Sequence, residues 1–229
     1  MIPLHDDNPT RIRPVVTVSL IVVCTLVFLW EVSLGPRMEA AIQLLGAVPA
    51  YVTGQTAPQA ALLPPWATLI TAMFLHGGWM HLIGNMLYLW IFGNNVEDAM
   101  GHGRFLLFYL LCGLAASLAH VLLDPRSTIP MVGASGAISG VLGAYLLLYP
   151  FARVLVAIPL GFFIYTFWLP AAVVLGLWFL IQIAGSLSAP AGQGGVAWMA
   201  HLGGFVAGMV LVLPFKRKDV SLWNPPHSH

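Results

Sequence analysis

The sequence predicts an all-α polytopic membrane protein with six transmembrane helices, and three observations carry that prediction. Charged residues make up only 7% of the 229 positions, where a soluble domain carries about 25%. So few charges cannot cover a water-facing surface. Hydrophobic residues make up 59% and gather in six runs, each near the roughly 20 residues that a bilayer-crossing helix requires. The runs are evenly spread, which favours one membrane domain over residues 14–215, with cytoplasmic tails at 1–13 and 216–229. A formal net charge of +1 leaves no basic footprint for nucleic acid.

The first span covers about residues 14–34. The opening "MIPLHDDNPTRIRP" lacks a signal peptide's small-residue cleavage site after that run, so the run is expected to stay as a span. The loop at 35–79 carries only Arg37 and Glu39 as charges and is rich in Ala, Leu, Pro and Trp. It reads as amphipathic segments lying in or on the outer leaflet. Further spans follow at about 80–97, 104–124, 133–150, 165–186 and 195–215. Lipid cannot satisfy exposed backbone groups, so all six are expected to be helices. The linker "GSLSAPAGQGG" reads as small and mobile, and the tail "SLWNPPHSH" as disordered, with surface histidines. Cys24 and Cys112 fall inside apolar runs and read as small core residues, neither disulfide nor metal ligands.

Orientation follows from the Lys and Arg residues. With the N-terminus cytoplasmic, the inner segments hold Arg11, Arg13, Arg104, Arg153, Lys216, Arg217 and Lys218, and the outer loops hold only Arg37 and Arg126. That bias supports both termini inside.

Strongly polar side chains inside spans are expensive and point to function. Four stand out: His81 and Asn85 in span two, Ser135 in span four and His201 in span six. Spans two, four and six all start from the outer side, and at 1.5 Å per residue the four lie roughly 5–10 Å below it. His81 and Asn85, four apart, share a helix face. A serine hydroxyl becomes a nucleophile when a base takes its proton, and His is the usual base. Acyl transfer also needs donors for the developing oxyanion. Asn85, His81 and the Ser135 N–H, in the first turn of its helix, can supply them. Gly133 and Gly136 allow close backbone approach. Gly136 and Gly140 form a small-xxx-small pair, matched by Ala200, Gly204 and Gly208 beside His201. Ser139 reads as a helix-contact residue bonded to the Ser135 carbonyl.

Blander readings exist for each part. A Gly-x-Ser-Gly in a membrane helix can be packing, and an intramembrane His can be an interhelical donor. His76 is either an interfacial residue or a supporting part of the site, and His102 and His120 read as interface residues near span ends. A zinc site at His76, His81 and His201 lacks an H-E-x-x-H pattern and a carboxylate. A soluble hydrolase elbow would need Gly where Ala137 stands.

Taken together the motifs resemble the rhomboid family of intramembrane serine proteases. "TAMFLHGGWMHLIGNMLYLWIFGNNVEDAMG" is similar to the family's second-helix signature, with His81, Asn85, Glu97 and Gly101 at its marked positions. "GASGAISG" resembles the nucleophile motif, at Ser135, and "AWMAHLGGFVAG" the last-helix motif, with His201, Gly204 and Gly208. The resemblance covers about residues 66–212, and "MIPLHDDNPT" is similar to the start of many bacterial members. It implies a six-helix rhomboid-like fold and a Ser135–His201 dyad with no third acidic member. It implies an oxyanion hole from Asn85, His81 and the Ser135 amide, no cofactor, and single-pass membrane proteins as substrates in a bacterial inner membrane. Glu31 is the one carboxylate near the outer end that could orient the histidine. One departure is that Trp66 is followed by Ala67, where many members carry a Trp-Arg pair. Two other functions fit the same residues: a non-catalytic rhomboid-like protein that binds or escorts membrane helices, and a small-solute transporter using His81 and His201 as a proton relay.

Overall fold

The computed structural model describes residues 1–58, 60–161, 163–188 and 197–223. The order is β1 (Ile2–Asp6), α1 (Val15–Ser33), α2 (Met38–Leu45), α3 (Pro49–Val52), α4 (Thr68–Thr71), α5 (Trp79–Met100), α6 (His102–Leu123) and α7 (Ser135–Leu148). Then come β2 (Arg153–Leu160), β3 (Phe163–Pro170), α8 (Ala171–Ser188) and α9 (Trp198–Phe215), with short 3-10 turns in the first loop. The protein is mostly helical. Four helices are long and apolar enough to cross a membrane: α1, α6, α8 and α9. Helix α5 has 22 residues but a polar C-terminal half, "GNNVED". Helix α7 has 14 residues, or about 21 Å, short of a hydrocarbon core of about 30 Å.

Helices α6, α7 and α9 meet at backbone distance, and the small residues show how. A Cβ on Gly204 would strike the Gly136 carbonyl, and one on Gly208 the Gly140 carbonyl. One on Gly143 would strike the Phe205 carbonyl. From Gly136 against Gly204 to Gly140 against Gly208 the contacts advance one turn along both helices, so α7 and α9 run parallel. Helix α6 runs the other way: a Cβ on Gly136 would meet Ala116, one on Gly140 would meet Cys112, and one on Gly203 would meet Ala119. Association of helices in lipid depends on such close van der Waals packing, because apolar burial alone gains nothing there. Cys24 and Cys112 are both free and fully buried in this core.

A buried carboxylate ties the first helix to the second long one. Glu97, on α5, accepts from Val16 N at 2.9 Å, Thr17 N at 2.7 Å and the Thr17 hydroxyl at 2.7 Å. His102 Nδ1 lies 2.5 Å from Glu97 Oε1. An anion on the free amides of a helix N-terminus is stabilised by hydrogen bonds and the helix dipole together. Gly101, at φ +82°, then makes the sharp turn from α5 into α6.

The sheet corrects the all-helix expectation. β1, β2 and β3 form one antiparallel sheet in that order, with Asp6 opposite Val154 and Arg153 opposite Pro170. The run expected as a span over 165–186 divides: Tyr165 to Pro170 belong to β3, and the helix starts at Ala171. The physical reason is local. "FIYTFWLP" is apolar but dominated by aromatic and β-branched residues, which favour a strand. Hydropathy cannot separate such a run from the helix that follows it. The strand's side chains are largely exposed, among them Phe163 and Ile164.

The first loop is folded onto the bundle. Ala47 and Met131 exchange backbone bonds of 3.0 and 2.8 Å, and Gly133 N donates to the Ala72 carbonyl at 2.8 Å. Ala47, Val48, Ala50, Ala72, Met73 and Leu75 are buried, while Leu62 and Trp66 stay exposed. At the other end, Arg217 N donates to the Ala99 carbonyl and Trp223 N to the Leu147 carbonyl, both at 2.8 Å. The first four residues of "GSLSAPAGQGG" complete α8; the rest of that linker, and His227 and His229 of the tail, lie outside the described residues.

Candidate active site

The N-terminal ends of α5, α7 and α9 gather at one end of the bundle, and each carries a polar residue there. Ser135 opens α7 and is half-buried. His201 lies in the first turn of α9, with its Nε2 2.8 Å from the Ser135 hydroxyl oxygen. The contact needs the α7–α9 approach described above, since a serine and an imidazole reach only a few ångströms from their backbones. Ser139, one turn deeper, is fully buried and donates to the Ser135 carbonyl at 2.6 Å, as its spacing predicted.

Helix α5 brings His81 and Asn85 to the same cavity. It has a volume of about 210 Å³ and is lined by Ser135, His201, His81 and Asn85, with Tyr88, Ile138, Leu142 and Trp178 as its apolar walls. Asn85 is buried, and its Nδ2 has no hydrogen-bond partner among the described residues. Unpaired buried donors are costly and call for an explanation. His81 Nδ1 accepts from Gly77 N at 3.4 Å, which leaves the ring proton on Nε2. That edge of the ring faces Gly133, where a Cβ would collide with it. A second cavity, of about 20 Å³, also borders Ser135 and is lined by Gly113, Ala116, Ala137 and Ala200 together with Met73, Met131 and Val132.

His76 is fully buried beside His81, with ring centroids 5.2 Å apart. Its backbone N–H donates to Glu31 Oε2 at 3.1 Å. Glu31 therefore holds the loop that carries His76 and bonds the His201 ring at neither nitrogen. The position beside His201 Nδ1 is filled from α8 instead: Gln182 Oε1 lies 2.7 Å away. Sequence reasoning missed Gln182. The signal was present, because it is the single amide side chain within the apolar run of α8 and polar residues in such runs are expensive.

The fold is that of a helical integral membrane protein, with a serine, an imidazole and a carboxamide gathered in a part-buried cavity. The Rhomboid domain family model matches residues 64–218, and the chain belongs to the rhomboid family. It is 34% identical over 157 residues to rhomboid-like protein 11, chloroplastic, of Arabidopsis thaliana, an alignment covering 65% of this chain and 52% of that protein. It is 48% identical over 81 residues to rhomboid protease GluP of Bacillus subtilis, covering 35% of this chain and 15% of that protein. To the mitochondrial rhomboid protein 1 of Saccharomyces cerevisiae it is 31% identical over 150 residues, covering 62% and 40%. The chain thus spans about half the length, or less, of these relatives. They come from a plant, a bacterium and a yeast, so the likeness is not confined to bacterial members.

Proposed function

We propose that this chain is an intramembrane serine endopeptidase working through a Ser135–His201 dyad. His201 Nε2 takes the Ser135 proton as the hydroxyl oxygen attacks a peptide carbonyl. The tetrahedral oxyanion is held by Asn85 Nδ2, His81 Nε2–H and the Ser135 backbone N–H. His201 then returns the proton to the leaving amine, and an acyl-enzyme remains on Ser135. Water attacks that ester in the reverse sense and frees the enzyme. His76 and Gly133 support the ring of His81, and Gly136, Gly204 and Gly208 keep α7 and α9 close enough for the dyad.

The single observation that carries this reading is the 2.8 Å contact between Ser135 Oγ and His201 Nε2 in a cavity that also holds the unpartnered Asn85 amide. The names of relatives such as rhomboid protease GluP agree with it. The substrates are single-pass membrane helices in the bilayer. Six helices cross it, including the short α7 and the polar α5, with both termini cytoplasmic and the cavity opening to the outer face of a bacterial inner membrane. A helical substrate hides its carbonyls in i→i−4 bonds and must unwind locally before attack. The cavity of about 20 Å³ beside Ser135, closed by Met73, Met131 and Val132 as well as by glycines and alanines, has room only for a small side chain next to the scissile bond.

Fluorophosphonate labelling tests the reading. A covalent adduct on the wild-type protein, absent from Ser135→Ala and His201→Ala variants that remain folded in detergent, is the expected outcome. Equal labelling of wild type and Ser135→Ala removes the enzyme reading and leaves a binder of membrane helices.

A further inference from the structure

We infer that Gln182 is a positioning residue of this site, which fixes the His201 tautomer that can accept the Ser135 proton. The inference rests on the serine protease reading above and adds a third member to its dyad, from a third helix.

A neutral imidazole has one N–H and one lone pair. For Nε2 to accept from Ser135 Oγ at 2.8 Å, the proton must sit on Nδ1. In a part-buried cavity that N–H needs an acceptor, since an unpaired buried donor is costly. Gln182 Oε1, at 2.7 Å, is that acceptor.

A carboxamide could present either end to His201, and its other end decides which. Gln182 Nε2 donates to the Trp178 carbonyl, one turn earlier on α8, at 3.0 Å. Turning the amide over would set oxygen against oxygen there. It would also aim an N–H at Nδ1, which moves the ring proton to Nε2 and blocks acceptance from Ser135. The Trp178 carbonyl thus fixes the amide, the amide fixes the tautomer, and the tautomer makes His201 a base. Gln182 is 5% exposed, so water competes little for either end.

The rest of the surroundings leaves this role to an uncharged group. The titratable residues facing His201 from other helices are His81 of α5 and His120 of α6. Among the described residues, no carboxylate accepts a hydrogen bond from its ring. A carboxamide orients the ring as an acid would, without a negative charge to hold the imidazolium. Helix α8 is seated on α9 by Trp178 and Phe179 against Phe205, at ring distances of 5.9 and 4.6 Å. The tautomer therefore depends on α8 being docked.

The test measures the second-order rate of fluorophosphonate labelling from pH 5 to 9 for wild type, Gln182→Leu, Gln182→Glu and Ser135→Ala, with thermal unfolding as a check of fold. Gln182→Leu is expected to slow labelling by about 10-fold or more. Gln182→Glu is expected to keep labelling near the wild-type rate at high pH, with the acid limb moved upward by about one pH unit, because a carboxylate accepts from Nδ1 and adds charge. Nitrogen-15 spectra of His201 in the Ser135→Ala background give a readout independent of reaction. The proton is expected on Nδ1 while Gln182 is present, and that preference is expected to vanish when Gln182→Leu removes the acceptor. A folded Gln182→Leu variant with wild-type rate, wild-type pH profile and an unchanged tautomer overturns the role while leaving the protease reading intact. If Gln182→Leu fails to fold, an unmoved acid limb in Gln182→Glu overturns it. Wild-type protein that takes no label overturns the protease reading, and this proposal with it.

Discussion

Gly133 shows how one backbone position sets the geometry of its neighbours. At φ +124° it occupies a conformation that L side chains rarely adopt, and a Cβ there would strike the His81 ring. Gly133→Ala is therefore expected to displace His81 and lower labelling by at least about 10-fold, read beside an unfolding curve that separates misplacement from collapse. Asn85 allows a sharper test. If its free Nδ2 serves the oxyanion and nothing else, Asn85→Ala lowers kcat by about 100- to 1000-fold with KM little changed. A raised KM in the variant, with kcat untouched, would assign the amide to binding instead. At this scale the grouping of Ser135, His81, Asn85 and His201 around one cavity was legible because each interrupts an apolar run near the start of its helix. Gln182 interrupts an apolar run too, but its partner could be known only once α8 was placed beside α9. Glu31 had the right charge and span, yet its carboxylate meets the His76 backbone rather than the His201 ring.

Among the elements, the α7–α9 pair is least tolerant of change. A side chain on Gly208 would drive into the Gly140 carbonyl, and backbone cannot yield as a side chain can. Gly208→Val is expected to lose about 1–3 kcal/mol or more of stability and to separate Ser135 from His201. Detergent unfolding and labelling should fall together, whereas Gly103→Ala, on the exposed start of α6, should change neither, since nothing lies within 4 Å of a Cβ there. The Glu97 cap gives a second element-scale expectation. Glu97→Ala frees the Val16 and Thr17 amides of α1 and costs on the order of 1–2 kcal/mol, the size of a lost helix cap; urea or thermal unfolding in micelles checks it. Helices α1, α5 and α6 were foreseen to within a few residues. The β2–β3 hairpin was not, because its apolar run differs from a membrane helix in side-chain branching and in a distant partner, and hydropathy registers neither.

For the whole molecule, residues 2–6 join distant parts of the chain. β1 pairs with β2, and the Asp6 carboxylate accepts from Tyr145 on α7 at 2.6 Å and from Asn95 on α5 at 2.8 Å. Burial raises the Asp6 carboxyl to about 6 from an ordinary 3.8, with the Tyr145 bond acting in the opposite sense. A raised carboxyl binds its proton more tightly in the folded protein. Its contribution to stability is thus complete below pH 3.8 and is lost as pH rises through about 6. Asp6→Asn keeps an acceptor for both donors, so its expected effect is a gain of about 1–3 kcal/mol above pH 7 and a flatter stability curve between pH 4 and 6. Thermal unfolding across that range decides it. The sequence by itself determined the solvent, the long apolar helices, the small-residue stripes and the polar positions that interrupt the apolar runs. These follow from composition and period along one chain. Only the tertiary structure decided that β1 closes a sheet with a hairpin some 150 residues away, that Glu97 caps α1, and that Gln182 faces His201. Each of those pairs elements whose relative position is set by packing, and packing is a property of the assembled bundle rather than of any run of residues within it.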